Sequence, residues 1–226
     1  MEKGYIKNQL QDLLDRIPDF FEPDELAYYS AHCKNEQQIR DKIAWELHKV
    51  ITQNSAHGDK YVVRREWAPE GSGRSRVDLA ILEMDAAKEK VEKVIALIEF
   101  KAQSIARREK WYLNEFTRDI EKMRGFKRSS KECNDAELFF VFLETGQGKK
   151  AKNYKSVLAF SKYESGCVFC NGPQDKTYLQ AVRSHWNDFE SLHGEQINIP
   201  EPIAIEIGAA FGYEQYVSPL LIGPLE

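Results

Sequence analysis

Apolar positions along the chain follow two periods, and the switches between them outline the fold. In "NEQQIRDKIAWELHKVI", Ile39, Ile43, Leu47 and Val50 recur at spacings of four, four and three. That spacing predicts an amphipathic helix, with Asn35 as its N-cap. "YVVRREW" and "SRVDLAIL" follow, two runs rich in branched and aromatic residues separated by "APEGSGR", a Pro/Gly turn that predicts a β-hairpin. The charged loop "EMDAAKEKVEK" leads into a strand, "VIALIEF". "RREKWYLNEFTRDIEKMRGF" returns to helical spacing, with Trp111, Phe116, Ile120 and Met123 on one face. "ELFFVFLE" predicts a buried strand that ends in the Gly-rich segment "TGQGKK".

Beyond residue 150 the periodicity weakens. "QDKTYLQAVRSHWNDFESLHG" predicts a helix, and "IAIEIGAAFG" with "YEQYVSPLLIG" a late strand pair entered past Pro200 and Pro202. No repeat or long linker divides the chain. The expectation is one α/β domain with a mixed central β-sheet flanked by helices. Its core covers about residues 34–145, and an extension covers about 150–226.

One strand breaks its own pattern. Side chains alternate across a strand, so Ile95, Leu97, Glu99 and Lys101 are expected on one face. Unpaired burial of such charges costs several kcal/mol, so Glu99 and Lys101 belong at an accessible strand end with partners. The preceding strand repeats the anomaly: Asp78 shares a face with Ala80 and Leu82, where an aspartate has no packing role.

Composition changes this picture little, but charge distribution changes it more. The 226 residues are 42% hydrophobic and 30% charged, as in an ordinary globular protein. No run of about 18 apolar residues is present, which predicts no membrane span. "MEKGYIKNQLQDLLDRIPDF" lacks the apolar core of a signal peptide. Four irregularly spaced cysteines fit a reducing cytoplasm. The net charge of −4 conceals a strong asymmetry. Residues 1–100 carry a net −4, residues 101–162 a net +7 and residues 163–226 a net −7. Positive charge gathered behind Lys101 can steer a polyanion to one face, although a solvated basic helix explains part of it.

Two carboxylates brought together by adjacent strands repel, and a hard divalent cation resolves the repulsion. Mg²⁺ prefers oxygen donors and commonly takes one or two carboxylates, waters and substrate phosphates. A lysine beside such a site can hold or deprotonate a water. Together these are the parts required for phosphodiester hydrolysis. The pattern Asp/Glu-x-Lys alone is a weak signal, and Glu99-Phe100-Lys101 is its one occurrence here. Specificity comes from its position at the end of the most hydrophobic strand, one hairpin after Asp78 and downstream of a helix carrying Glu36.

In that order of elements and residues, the sequence resembles the PD-(D/E)xK nuclease superfamily over about residues 34–145. The resemblance implies a restriction-endonuclease-like three-layer fold. It implies Asp78, Glu99 and Glu36 as metal-organising carboxylates, the Phe100 carbonyl as a further ligand, and Lys101 as the residue that positions the attacking water. Val77 stands where the eponymous motif has proline. Duller readings exist for each residue: Glu36 as an acid favoured in a helix's first turn, Asp78 as a backbone cap, Glu99 and Lys101 as an edge ion pair.

The helix after Lys101 supplies candidate phosphate contacts in Arg107, Arg108, Arg118 and above all Lys122; Gln103, Arg74 and Arg76 are further candidates. "TGQGKK" lacks the spacing and the Ser/Thr of a phosphate-binding loop. Cys167-Val-Phe-Cys170 is half a zinc pair without a second half.

The expected function is Mg²⁺-dependent (alternatively Mn²⁺-dependent) hydrolysis of DNA, by an endonuclease of restriction or defence type that pairs as a homodimer to cut both strands. The alternatives are a catalytically silent nucleic-acid-binding module, and a nuclease acting on RNA or on branched or damaged DNA.

Overall fold

A computed structural model describes residues 4–32, 35–54, 60–85, 87, 89–104, 111–150, 172–193 and 199–225. Helices α1 (Tyr5–Asp15), α2 (Glu25–Ala31) and α3 (Asn35–Asn54) precede strands β1 (Tyr61–Trp67), β2 (Val77–Met84) and β3 (Val91–Ser104). Then come α4 (Trp111–Ser129), β4 (Glu137–Lys150), α5 (Lys176–His193), β5 (Ile205–Ala210) and β6 (Tyr213–Leu225). The strands form one mixed sheet in the order β1-β2-β3-β4-β6-β5. β3 and β4 are parallel, with α4 as their crossover; the other neighbours are antiparallel.

Helices cover both faces, and the buried side chains divide accordingly. On one face Ile6, Leu10, Ile39, Ile43 and Leu47 pack against Leu79, Ile98, Phe100 and Val141. On the other, Phe116, Ile120, Met123, Tyr178, Val182 and Phe189 pack against Leu97, Phe140, Phe142 and Leu220. This α/β architecture is compatible with a three-layer fold. Among the described residues, no helix is long and apolar enough to cross a membrane.

The predicted helix, hairpin, central strand and late strand pair are present, with informative differences. "TGQGKK" is not a loop: β4 runs through it to Lys150 and pairs with β6. Tyr178 explains Gly146, because a Cβ there would lie 2.3 Å from the tyrosine ring. β6 lies between β4 and β5, so the segment after residue 150 completes the sheet. Asn35 is the first residue of α3, and its side-chain amide donates to Ser30 Oγ at 3.2 Å.

The expected face of β3 also needs one correction. Ile81 pairs with Ala96 and Leu82 with Val94, so Ile95 is an extra residue in the strand. This bulge turns Ile95 toward the α1/α3 layer and leaves Val94 and Leu97 on the α4 side. Leu97, Glu99 and Lys101 share a face; Ile95 does not share it.

Candidate functional site

The pairing of β2 with β3 brings the two anomalous acids together. Leu79 opposes Ile98, so Asp78 and Glu99 come next on their strands and stand opposite each other. The backbone of β3 past Ile98 lacks a full strand partner on that side, and carboxylates take its N–H groups. Asp78 Oδ2 accepts from Phe100 N–H at 2.8 Å, and Glu36 Oε2, reaching down from α3, accepts from Ala102 N–H at 2.8 Å. Asp78 N–H in turn donates to Glu99 Oε1 at 3.3 Å. Buried backbone donors need acceptors, and here the acids supply them.

Cations complete the cluster from both helical layers. Arg40, 9% exposed on α3, places Nη1 at 2.9 Å from Asp78 Oδ1 and 2.5 Å from Glu66 Oε1, and Nε at 3.2 Å from Asp41. From α4, Lys122 Nζ lies 2.5 Å from Glu99 Oε1 and 3.2 Å from Asp119 Oδ1. Lys101 Nζ lies 3.3 Å from Asp119 Oδ2. Asp119, 3% exposed, thus stands between the two lysines. Glu66 adopts a left-handed backbone (φ 51°) within β1 and accepts Arg76 at its carbonyl at 3.0 Å. A non-glycine residue in that region costs about 1–2 kcal/mol, held here by the surrounding contacts.

Four carboxylates (Glu36, Asp78, Glu99, Asp119) meet three cations (Arg40, Lys101, Lys122) in this cluster. Protonation follows that imbalance. Burial and then the facing Asp78 carboxylate push Glu99 up to about 8, against the pull of Lys122. Burial also raises Glu36, with Lys101 opposing. Burial would lower Lys101, but Asp119, Glu36, Glu99 and Asp78 together hold it above the usual lysine range. Lys101 is therefore an ammonium at neutral pH, fit to donate to a water or phosphate oxygen.

Other expected contacts fall differently. Lys122, expected to meet phosphate, points into the acid cluster. Gln103 is 5% exposed, and among the described residues its side-chain amide makes no hydrogen bond of good geometry. Arg118 is exposed beside Glu115, and Arg74 is exposed at the hairpin tip, where Gly71 and Gly73 supply the left-handed turns (φ 81° and 68°). Arg107, Arg108, Cys167 and Cys170 lie outside the described residues.

No family model, curated protein or solved structure matches this chain. The site therefore stands on its own geometry.

Sequence reading passed over two members of the site, and both left a signal. Arg40 follows Ile39 on the buried stripe of α3, one helical turn after Glu36. Asp119 sits three residues after Phe116 and beside Ile120, an acid on an apolar stripe. A charge placed there needs a partner from the sheet.

The donor set fits a hard cation in its chemistry: carboxylate oxygens on two strands and a helix, with mutual repulsion expressed at Glu99. Their positions are those of a charge-neutralised cluster. Among the described residues no three His, Cys, Asp or Glu side chains converge as a metal-holding group. Arg40 and Lys122 stand where positive charge is needed.

Proposed function

We propose that this chain is a divalent-cation-dependent nuclease that hydrolyses DNA phosphodiester bonds, an endonuclease of restriction or defence type with Mg²⁺ or Mn²⁺ as its cofactor. The observation that carries the reading is the opposition of Asp78 and Glu99 across β2 and β3, with Lys101 two residues along the same face and Glu36 at the same strand end. The acids accept strand N–H groups, but that role alone does not call for a lysine beside them. Phosphodiester hydrolysis needs each part of this arrangement.

Asp78 and Glu99, with Glu36 and the Phe100 carbonyl nearby, are the residues that would hold the cation. When bound, a divalent cation polarises the phosphate and lowers the pKa of a coordinated water. The chain's own residues do the rest. Lys101, kept charged by Asp119, holds the attacking water or a phosphate oxygen by hydrogen bonding. Lys122 balances Glu99, and its flexible four-carbon stem would let the ammonium reach a phosphate beside the site. The segment 101–162 carries a net +7 along the sequence, a charge that favours a polyanionic substrate.

A second reading has one observation in its favour. Arg40 and Lys122 already neutralise Asp78 and Glu99, so the cluster is self-sufficient as a structural element of a non-cleaving nucleic-acid-binding module. One experiment separates the two. Supercoiled plasmid is incubated with the protein and Mg²⁺ or Mn²⁺, with and without chelator, beside Lys101→Ala and Asp78→Ala. The nuclease reading expects metal-dependent nicking or linearisation lost in both variants. Binding without cleavage by the unaltered protein selects the module instead.

A further inference from the structure

The guanidinium beside Asp78 stands where a cation would bind. Phe100 N–H donates to Asp78 Oδ2 at 2.8 Å and fixes the carboxylate. Its other oxygen, Oδ1, accepts from Arg40 Nη1 at 2.9 Å. A divalent cation that enters at Oδ1 meets this positive charge, and like charges repel strongly where water is partly excluded. Arg40 and the cation therefore compete for one oxygen.

Arg40 does not depend on that oxygen. The same Nη1 lies 2.5 Å from Glu66 Oε1, and Nε lies 3.2 Å from Asp41 Oδ1. Neither acceptor belongs to the Asp78–Glu99 pair: Asp41 is the next residue of α3, and Glu66 belongs to β1. The backbone of β1 departs from a regular strand to supply Glu66. Arg65 opposes Leu79 and Trp67 opposes Val77, so Glu66 falls opposite Asp78, and there it takes the left-handed conformation (φ 51°). Such outliers persist where the surroundings fix them, and they gather at ligand clamps and switch regions. Arg65 Nη1 holds the other oxygen of Asp41 at 2.5 Å, which keeps that acceptor in place. A guanidinium that gives up one of three acceptors stays paired, so the cost of leaving Asp78 is small compared with that of a stranded charge.

We propose that Arg40 is an internal competitor for the cofactor cation, and that Glu66 and Asp41 form the berth it keeps when the cation takes Asp78. This rests on the metal-dependent reading above. Glu66 is then a positioning residue, because it acts on the cation only through Arg40. While free divalent cation is scarce, the site is held neutral and closed. It opens by exchange of one positive charge for another. Apparent cation affinity is the intrinsic affinity scaled by the fraction of molecules in which Arg40 has left Asp78.

The test measures Mn²⁺ binding to the full chain without DNA, through the electron-spin resonance of free Mn²⁺. Arg40→Gln should bind Mn²⁺ about tenfold more tightly, the gain expected where the competitor holds Asp78 in about nine molecules of ten. Arg40→Lys separates competition from a simple loss of charge. It keeps the charge, but Nζ ends one bond short of Nη1 and has no fork, so Mn²⁺ should bind about threefold more tightly. Glu66→Gln should weaken binding about threefold where Arg40 is present, and leave it unchanged in Arg40→Gln, where the berth has no occupant. Equal affinity in Arg40→Lys and the unaltered protein overturns the proposal, because a lost charge then explains Arg40→Gln. Equal weakening by Glu66→Gln in both backgrounds overturns it as well. Should Arg40→Gln fail to fold, Arg40→Lys decides by the same criterion. Mn²⁺ affinity that ignores Arg40, with metal-dependent plasmid cleavage intact, ends this inference alone. Absence of Mn²⁺ binding in every variant ends the nuclease reading and this inference together.

Discussion

The two polar clusters at the sheet are built on different plans. Around Asp78 and Glu99 charges are shared: Arg40 serves Asp41, Glu66 and Asp78, and Asp119 serves both Lys101 and Lys122. Glu144 is fully buried against His185, whose side chain is 24% exposed. Shared charges cannot be removed one at a time without exposing several others to an unpaired state. Among the described residues, the contact between Glu144 and His185 shares no partner with that network.

The largest expected effect is on chemistry. Lys101→Ala should reduce plasmid cleavage by about 100-fold or more, the scale on which one preorganised charge acts on a developing oxyanion. Its fold should survive, since the side chain is 17% exposed and its removal leaves Asp119 to Lys122. Cleavage within a few-fold of the unaltered protein would remove Lys101 from the site. Arg40→Ala comes next and acts on stability. It strips a 9%-exposed hub from three acids, and a loss of about 3 kcal/mol is expected in urea unfolding. A loss below about 1 kcal/mol would show that the acids relax into water, and the shared plan would fail.

How much of this was legible beforehand depends on what each residue interacts with. Helix α3, the hairpin and β3 carry local periodicity, and their sequence predicts them because neighbouring positions decide them. The convergence of Asp78 with Glu99 was legible as well, since both interrupt apolar strands at corresponding ends. The bulge at Ile95 was not, because it is set by register against β2. Nor was β4 through "TGQGKK": glycines argue for a loop locally, and only pairing with β6 and the Tyr178 ring over Gly146 argue otherwise. Arg40, Asp119 and the Glu144–His185 pair share one cause of concealment. Each has a partner on another layer and far along the chain: Arg40 meets Asp78 38 residues on, Asp119 meets Lys101 18 residues back, and Glu144 meets His185 41 residues on.

A pH titration sharpens the comparison at the first cluster. Glu99 is raised to about 8 by burial and Asp78, and Glu36 is raised in the same direction. A carboxyl with a raised folded-state pKa binds more protons folded than unfolded. Its contribution is therefore fully present below the ordinary glutamate pKa, and is lost as pH rises through about 8. In chelator, stability should fall from about pH 5 to about pH 9 by on the order of 2 kcal/mol, with water entry and relaxation discounting the full shift. Glu99→Gln should flatten the slope. Mg²⁺ should oppose it, because a bound cation replaces the proton and its affinity rises as Glu99 ionises. A pH slope that is identical in Glu99→Gln would place the titration elsewhere and leave Glu99 an ordinary ion-paired acid.

The smallest expected effect falls on the second cluster and has the opposite sign. The double variant Glu144→Leu/His185→Leu exchanges a buried pair for apolar side chains beside Phe142, Leu220 and Phe189. It removes Glu144 Oε2, which has no hydrogen-bond partner among the described residues, and the desolvation of a carboxylate, while giving up the Glu144–His185 hydrogen bond. Buried pairs replaced in this way are commonly neutral or stabilising, so unfolding stability should stay level or rise by about 1 kcal/mol. A stability loss of about 3 kcal/mol, matching that of Arg40→Ala, would instead make both clusters structural in the same sense and erase the contrast between them.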